Sequence, residues 1–360
     1  MKMVILTSLA EHVKSTAVRA CASALFRSGF IDFLQSKARA RLTKMPSKPR
    51  RIIPFAVLLY HRVNSERDPY FPSISTDVFD SQMRYLARNY RVLALREILD
   101  RIEKGLEIQP YTIAITFDDG YRDNFTHARP VLAKYRLPAT LFVATGYIGS
   151  DQMMWNDRVS WAFKRTIRTH FRLEFQNRHL EFSLHSPADK INSLNLVLET
   201  LKSIPDEEKT KTVDSIVKEL MTGTVRVERQ MLSWSELSKL VQEGWDIGSH
   251  TVNHVILTRV NGAVVRDELT RSKQTLEQQL QRPISLFAYP NGKESDFNRS
   301  TKELVRQIGY KAATTTVDGL NDSGTDPWEI RRRSPWECSL PYFAVRLFYS
   351  YCQKRTQPFD

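Results

Sequence analysis

At 360 residues, with 41% hydrophobic and 26% charged side chains, the chain has an ordinary globular mixture and enough length to bury a sizeable core. That excludes global disorder, and no stretch approaches the roughly 20 apolar residues of a membrane span. The net charge is +13, but eleven Lys or Arg against Glu11 and Asp32 fall within residues 1–51, so a basic nucleic-acid-binding surface on the remainder is not indicated.

Residues 1–45 read as helix, mixing Leu9, Val13, Leu25 and Phe26 with Lys14, Arg19 and Arg27. Two readings compete: a helix docked on the domain, or a basic amphipathic segment making peripheral contact with an anionic membrane. Pro46 and Pro49 discourage helix and mark a linker. Residues 1–51 are thus set apart from a domain spanning 52–360. Cys21, Cys338 and Cys352 form no zinc-knuckle spacing, and their odd, sparse count suits a reducing compartment. Glu11, His12 and Lys14 interrupt any secretion-type apolar run, so a cytoplasmic location is expected.

From residue 52 short apolar runs alternate with amphipathic helices. The expected strands are Phe55–Tyr60, Arg91–Leu93, Thr112–Phe117, Thr140–Ala144, Trp245–Gly248, Ser285–Tyr289 and Lys311–Thr315. They are uniformly apolar, as strands buried on both faces should be. Thr76 is placed as the cap of a helix with Phe79, Met83 and Leu86 on one face. Ser233 and Glu236 form a capping box for another. About seven strands alternating with helices imply a parallel sheet or closed barrel.

Residues 155–230 break that rhythm. Phe171, Leu173 and Phe175 alternate, as do Leu180, Phe182 and Leu184, which signals a hairpin. Ser186-Pro187 starts one helix and a second follows Pro205-Asp206. This hairpin-plus-helices insertion reads either as a substrate-side lid or as a decorative subdomain.

Chemistry concentrates at two strand ends. Thr116-Phe117-Asp118-Asp119-Gly120 places two adjacent carboxylates at the carboxyl end of a buried strand, where ligands bind in parallel α/β folds. Gly248-Ser249-His250-Thr251-Val252-Asn253-His254 places two histidines in a spacing that can converge on one metal. Thr251 stands where a zincin protease needs Glu, so the protease reading loses its general base. One Asp and two His leave open positions for water and substrate, and the other Asp is left over as a base.

These pieces resemble the polysaccharide deacetylases, also called the NodB-homology or carbohydrate esterase family 4 domain. Thr116–Gly120 matches the TFDDG motif and His250–His254 the H-[ST]-x-x-H motif, in family order. Leu58–Arg62 matches the first-strand signature, and Phe287-Ala288-Tyr289-Pro290-Asn291-Gly292 resembles the third motif. The resemblance runs from about residue 52 to about 333. It implies an α/β fold, a distorted (β/α)7 barrel, and a metal-dependent deacetylase that releases acetate from an N-acetylhexosamine-containing saccharide. It further implies Asp119, His250 and His254 as ligands of one divalent ion, zinc first, with Co2+, Ni2+ or Mn2+ also compatible. Asp118 becomes the base, and a backbone N–H near Tyr289 and Pro290 the oxyanion donor.

Two departures stand out. Phe287-Ala288 occupy the stretch where many members carry an Arg paired with the base; Arg332 resembles a late arginine and is the candidate to orient Asp118. No histidine follows His254, where the family often places its general acid. His61, at the end of the first expected strand, is the candidate replacement. Trp155 could line the sugar site, and Tyr147 and Asn253 are further candidates near it. The rival readings are a deformylase or deacetylase of a lipid-linked sugar at a membrane surface, and a catalytically silent carbohydrate-binding relative.

Overall fold

The computed structural model describes residues 20–31, 33–34, 36–37, 53–175, 178–221, 229–335 and 339–353. Most of the basic head therefore lies outside the described residues. Within it, residues 20–27 are helical, Ala22 and Ile31 are buried, and the Phe26 ring sits 5.7 Å from that of Tyr85, while Leu25, Phe30 and Phe33 are exposed. No described helix is long and apolar enough to cross a membrane.

Seven strands form one sheet: β1 (Phe55–Tyr60), β2 (Arg91–Val92), β3 (Thr112–Phe117), β4 (Thr140–Val143), β7 (Asp246–Ser249), β8 (Leu286–Ala288) and β9 (Ala312–Thr314). The order is β1-β3-β4-β7-β8-β9, all pairings parallel, with β2 beside the first residues of β3. Each expected strand is present, shortened by one or two residues in most cases. The sheet curls into a half-barrel, and its open side is spanned by residues 330–333. Thr315 N–H donates to the Ile330 carbonyl, and Ile330 N–H to that of Ala313. Leu59 N–H donates to the Arg333 carbonyl, and Arg333 N–H to that of Val57.

Strand alternation sorts the side chains into two layers. Phe55, Val57, Ala114, Phe142, Leu286, Ala288 and Ala312 fill the barrel, with α2 (Leu95–Glu103) packed against them through Leu95 and Ile98. Leu58, Ile113, Ile115, Leu141, Ile247 and Phe287 face outward under the surrounding helices. Among those is α1 (Thr76–Asn89), which buries Phe79, Met83 and Leu86. Its cap is Ser75, whose hydroxyl accepts from Val78 N–H; Thr76 is already helical. The correction is one residue, because Ser75 holds the extended backbone that a cap needs. The remaining outer helices are α3 (Arg129–Tyr135), α7 (Trp234–Gln242), α8 (Gly262–Leu280), α9 (Arg299–Gln307) and α10 (Leu340–Gln353). The capping box of Ser233 and Glu236 is formed at the start of α7.

Between β4 and β7 the insertion builds its own small core. It comprises α4 (Trp155–Arg165), the antiparallel pair β5 (His170–Phe175) and β6 (Arg178–Ser183), α5 (Pro187–Lys202) and α6 (Asp206–Leu220). Phe163, Phe171, Phe182, Val197, Val213 and Ile216 pack together there, apart from the barrel. A buried ion pair ties the insertion to the barrel: Arg62, just past β1, reaches Asp157 of α4 at 2.9 Å.

Candidate active site

The site sits where β1, β3, β7 and β8 end. Along β3, residues Ala114, Thr116 and Asp118 share the barrel face, so the alternation itself aims Asp118 inward. The barrel-spanning segment brings Arg332 opposite. Its guanidinium donates to Asp118 Oδ1 at 2.7 Å and to Oδ2 at 2.6 Å, a bidentate pair, and its Nε donates to the Thr315 carbonyl. Both residues are 1% exposed. Burial alone pushes the Asp118 carboxyl up, but the charges of Arg332 and His250 outweigh it and hold the group below the ordinary carboxylate range.

Asp119 turns the other way through a left-handed backbone step at φ +78°. Its Oδ1 lies 3.5 Å from His250 Nε2 and 3.4 Å from His254 Nε2. Burial opposes its charge, yet the two imidazoles keep the carboxyl well below the usual range. His250 continues β7, and its Nδ1 pairs with the Ala288 carbonyl at 2.7 Å. That partner requires a proton on Nδ1 and leaves the Nε2 lone pair toward Asp119 in the neutral ring. Burial pushes the His250 imidazole down, but Asp118 and Asp119 raise it overall. His254 is pushed down to about 3 by burial, with the charges of His250 and Lys209 adding.

Left-handed backbone at residues with side chains is uncommon and gathers at functional sites. Here Asp119, Thr251 (φ +66°), His254 (φ +55°) and Asn291 (φ +59°) all adopt it. Glu268 of α8 supports the histidine loop, accepting from Val252 N–H, Asn253 N–H and Asn253 Nδ2 at 2.7–2.9 Å. Gly248 is required for a different reason: a Cβ there would lie 2.4 Å from the Phe142 ring inside the barrel.

Among the described residues, Asp119, His250 and His254 form the group whose ligand atoms lie within 4.8 Å of one another. Asp119 Oδ1 is buried without a hydrogen-bond partner. A carboxylate oxygen orphaned between two imidazole nitrogens fits a divalent cation, because a cation would satisfy all three at once. Asp118 Oδ2 stands 4.0 Å from His250 Nε2, beside this group and not in it.

The other expected residues fare differently. Tyr289 does not face the site: its N–H donates to the Thr314 carbonyl, its hydroxyl to the Trp328 carbonyl, and its ring packs outward on Phe297. Pro290 has no N–H. The first N–H after β8 not committed to that ladder belongs to Asn291, whose side chain is tied to Asp296 at 2.6 Å. His61 follows β1 half-buried, and its charge bears on both Asp118 and Asp119.

Trp155 lines a cleft of about 1410 Å³ between the insertion and the barrel, together with Tyr147, Lys209, Asn253, Val255 and Glu268. Its ring is already approached by the Lys209 ammonium, 5.0 Å from the centroid, so that side of the indole is not open to a sugar. Sequence reasoning missed Glu268, Asp157 and Lys209. Lys209 carries a legible signal: it stands in line with Val213, Ile216 and Leu220 at helical spacing, a charge on a buried stripe.

Comparisons with known proteins show the family and the fold. Residues 107–313 match the family model described as polysaccharide deacetylase. A putative polysaccharide deacetylase of Bacillus subtilis is 20% identical over 77% of this chain and 69% of its own. The poly-beta-1,6-N-acetyl-D-glucosamine N-deacetylase of Staphylococcus aureus is 34% identical over 24% of this chain, a stretch spanning only 30% of that protein. In structure, a Streptococcus pyogenes deacetylase solved with acetate aligns at a TM-score of 0.55, with 19% identity, over 83% of this chain and 99% of that one.

Proposed function

Because the chain belongs to the polysaccharide deacetylase family, and is therefore a hydrolase of carbon–nitrogen bonds, we propose that it removes the acetyl group from an N-acetylhexosamine within a saccharide, using one divalent metal ion. The observation that carries this reading is the pairing of a base with a donor set: Asp118 clamped by Arg332, next to Asp119, His250 and His254.

A divalent ion held by Asp119, His250 and His254, zinc first, would supply water activation near neutral pH and polarisation of the acetyl carbonyl. Asp118 accepts the proton of the attacking water. Its fork with Arg332 fixes the carboxylate plane, so no reorientation is needed when the proton arrives. The Asn291 N–H would donate to the negative charge that develops on the acetyl oxygen. As the carbon–nitrogen bond breaks, the nitrogen takes a proton from His61, and acetate and a free amine leave.

The test is acetate release from N-acetylglucosamine oligomers with added Zn2+ or Co2+. Asp118→Asn is expected to lower turnover about 10³-fold, and His61→Ala about 10²-fold, with bound metal unchanged in both. No release from wild-type protein with metal bound would overturn the reading. Unchanged turnover in His61→Ala would remove that residue from the reaction.

A further inference from the structure

We propose that the insertion carries a saccharide subsite built around Lys209, which hydrogen-bonds a sugar neighbouring the one that is deacetylated. The inference deepens the deacetylase reading and rests on it. Three observations converge.

First, the position is wrong for a lysine on packing grounds. In α6 the buried residues are Lys209, Val213, Ile216 and Leu220, a continuous stripe against the insertion core. The lysine side chain is only 4% exposed. Burying an ammonium costs free energy that an aliphatic side chain at the same place would not.

Second, the ammonium is held in a fixed place. Asp206, at the first turn of the same helix, pairs with it, and the Trp155 ring lies beneath it. A cation clamped by a carboxylate and an aromatic face is pre-organised to donate its remaining protons in one direction.

Third, the cleft adjoins the loop that carries His254. Lys209 lines the same cleft as Asn253 and Val255, which flank His254 in the chain. At about 1410 Å³ the cleft exceeds the usual range for one small ligand and suits several linked sugars. Among the described residues its other cations are paired with carboxylates: Arg122 and Arg229 with Glu236, Arg158 with Asp214. With these arginines paired off, the cleft suits an uncharged polyhydroxylated chain better than a polyanion, and sugar hydroxyls and acetamido oxygens are the acceptors that Lys209 would meet.

The experiment is calorimetric titration of the full chain, zinc-loaded, with the N-acetylglucosamine tetramer and the free monosaccharide. For Lys209→Met, tetramer affinity is expected to fall about tenfold or more, closing the gap between tetramer and monosaccharide, with zinc content kept and thermal stability not reduced. Lys209→Arg should retain part of the gap. If Lys209→Met fails to fold, Lys209→Gln serves the same comparison. Tetramer affinity equal to wild type in a folded variant would overturn the subsite, as would wild-type protein that binds tetramer no better than monosaccharide. Acetate release is measured separately: wild-type protein that binds tetramer but releases nothing counts against the deacetylase reading and leaves the subsite standing.

Discussion

The ends of the barrel strands and the insertion beside them lie next to one another, joined by the Arg62–Asp157 pair, yet they are built on opposite terms. At the strand ends the backbone is forced: Asp119, Thr251, His254 and Asn291 all sit at positive φ, and Asp118 and Arg332 are buried as a charged pair. In the insertion the helices are ordinary, with a proper capping box at Ser186 and an apolar core of their own. The barrel spends stability to hold reactive groups in place. The insertion keeps its stability, and departs from good packing chiefly where Lys209 and Asp157 meet the barrel side. The difference teaches that reactive geometry here comes from the strand ends, while the shape of the cleft is decided by a separable wall.

The sharpest way to break the comparison is to remove the charge that holds the base. Arg332→Met leaves a fully buried carboxylate without its partner, and such a loss costs about 3–5 kcal/mol of stability at neutral pH. The carboxyl of Asp118 is now held below its ordinary value, so its pairing stabilises the fold above the unfolded pKa and is lost as pH falls through the folded one. Without Arg332 the pKa rises, and the acid limb of kcat/KM should move to higher pH. A pH–rate profile checks this; an unmoved acid limb would mean that Arg332 does not tune the base.

Much of this was legible beforehand, for physical reasons. Strands buried on both faces must be largely apolar, so runs such as Thr112–Phe117 could be read; the short, partly exposed β2 (Arg91–Val92) does not follow that rule. Asp118, Asp119, His250 and His254 could be read because they follow those strands directly. Arg332 could be suspected from its motif, but its partner is set by barrel closure, a long-range pairing of residues 330–333 with β1 and β9 that no local pattern records. That the donor expected near Tyr289 is not the N–H of Tyr289 itself has a related reason. Its N–H is part of the β8–β9 ladder, and strand alternation turns its ring outward. Contacts between the insertion and the barrel, such as Arg62 with Asp157, depend on how two cores dock and leave almost no trace in the sequence.

That docking contact can be weakened by itself. Arg62 and Asp157 are both buried, and Arg62 also rests 3.7 Å from the centre of the Tyr121 ring and donates to Gln230. Asp157→Ala should cost about 3 kcal/mol, somewhat eased because Tyr121 and Gln230 remain to receive the guanidinium. Chemical denaturation measures the loss. Metal content is expected to survive, since the strand-end cluster does not depend on the insertion for its ligands; loss of metal together with stability would show the two regions to be one unit.

The smallest expected effect lies between them. Asp123 accepts from Asn64 Nδ2 at 3.0 Å and Asn124 Nδ2 at 3.2 Å, and faces Arg62 and Asp157. Burial raises its carboxyl to about 6, against the pull of Arg62 and Asn64. A carboxyl raised above its unfolded value makes the folded state bind more protons, so stability should decline as pH rises from about 4 to about 6 and level off above. Asp123→Asn removes the titration and should flatten that decline. The gain above pH 6 is held to about 1 kcal/mol, because the new amide NH2 must face one of the two asparagine donors that the carboxylate now satisfies. Urea unfolding at pH 4.5 and pH 7 gives the readout as a difference of differences. Equal slopes in wild type and Asp123→Asn would mean that water reaches this carboxyl, and that the seam between barrel and insertion is open where the Arg62–Asp157 pair suggests it is sealed.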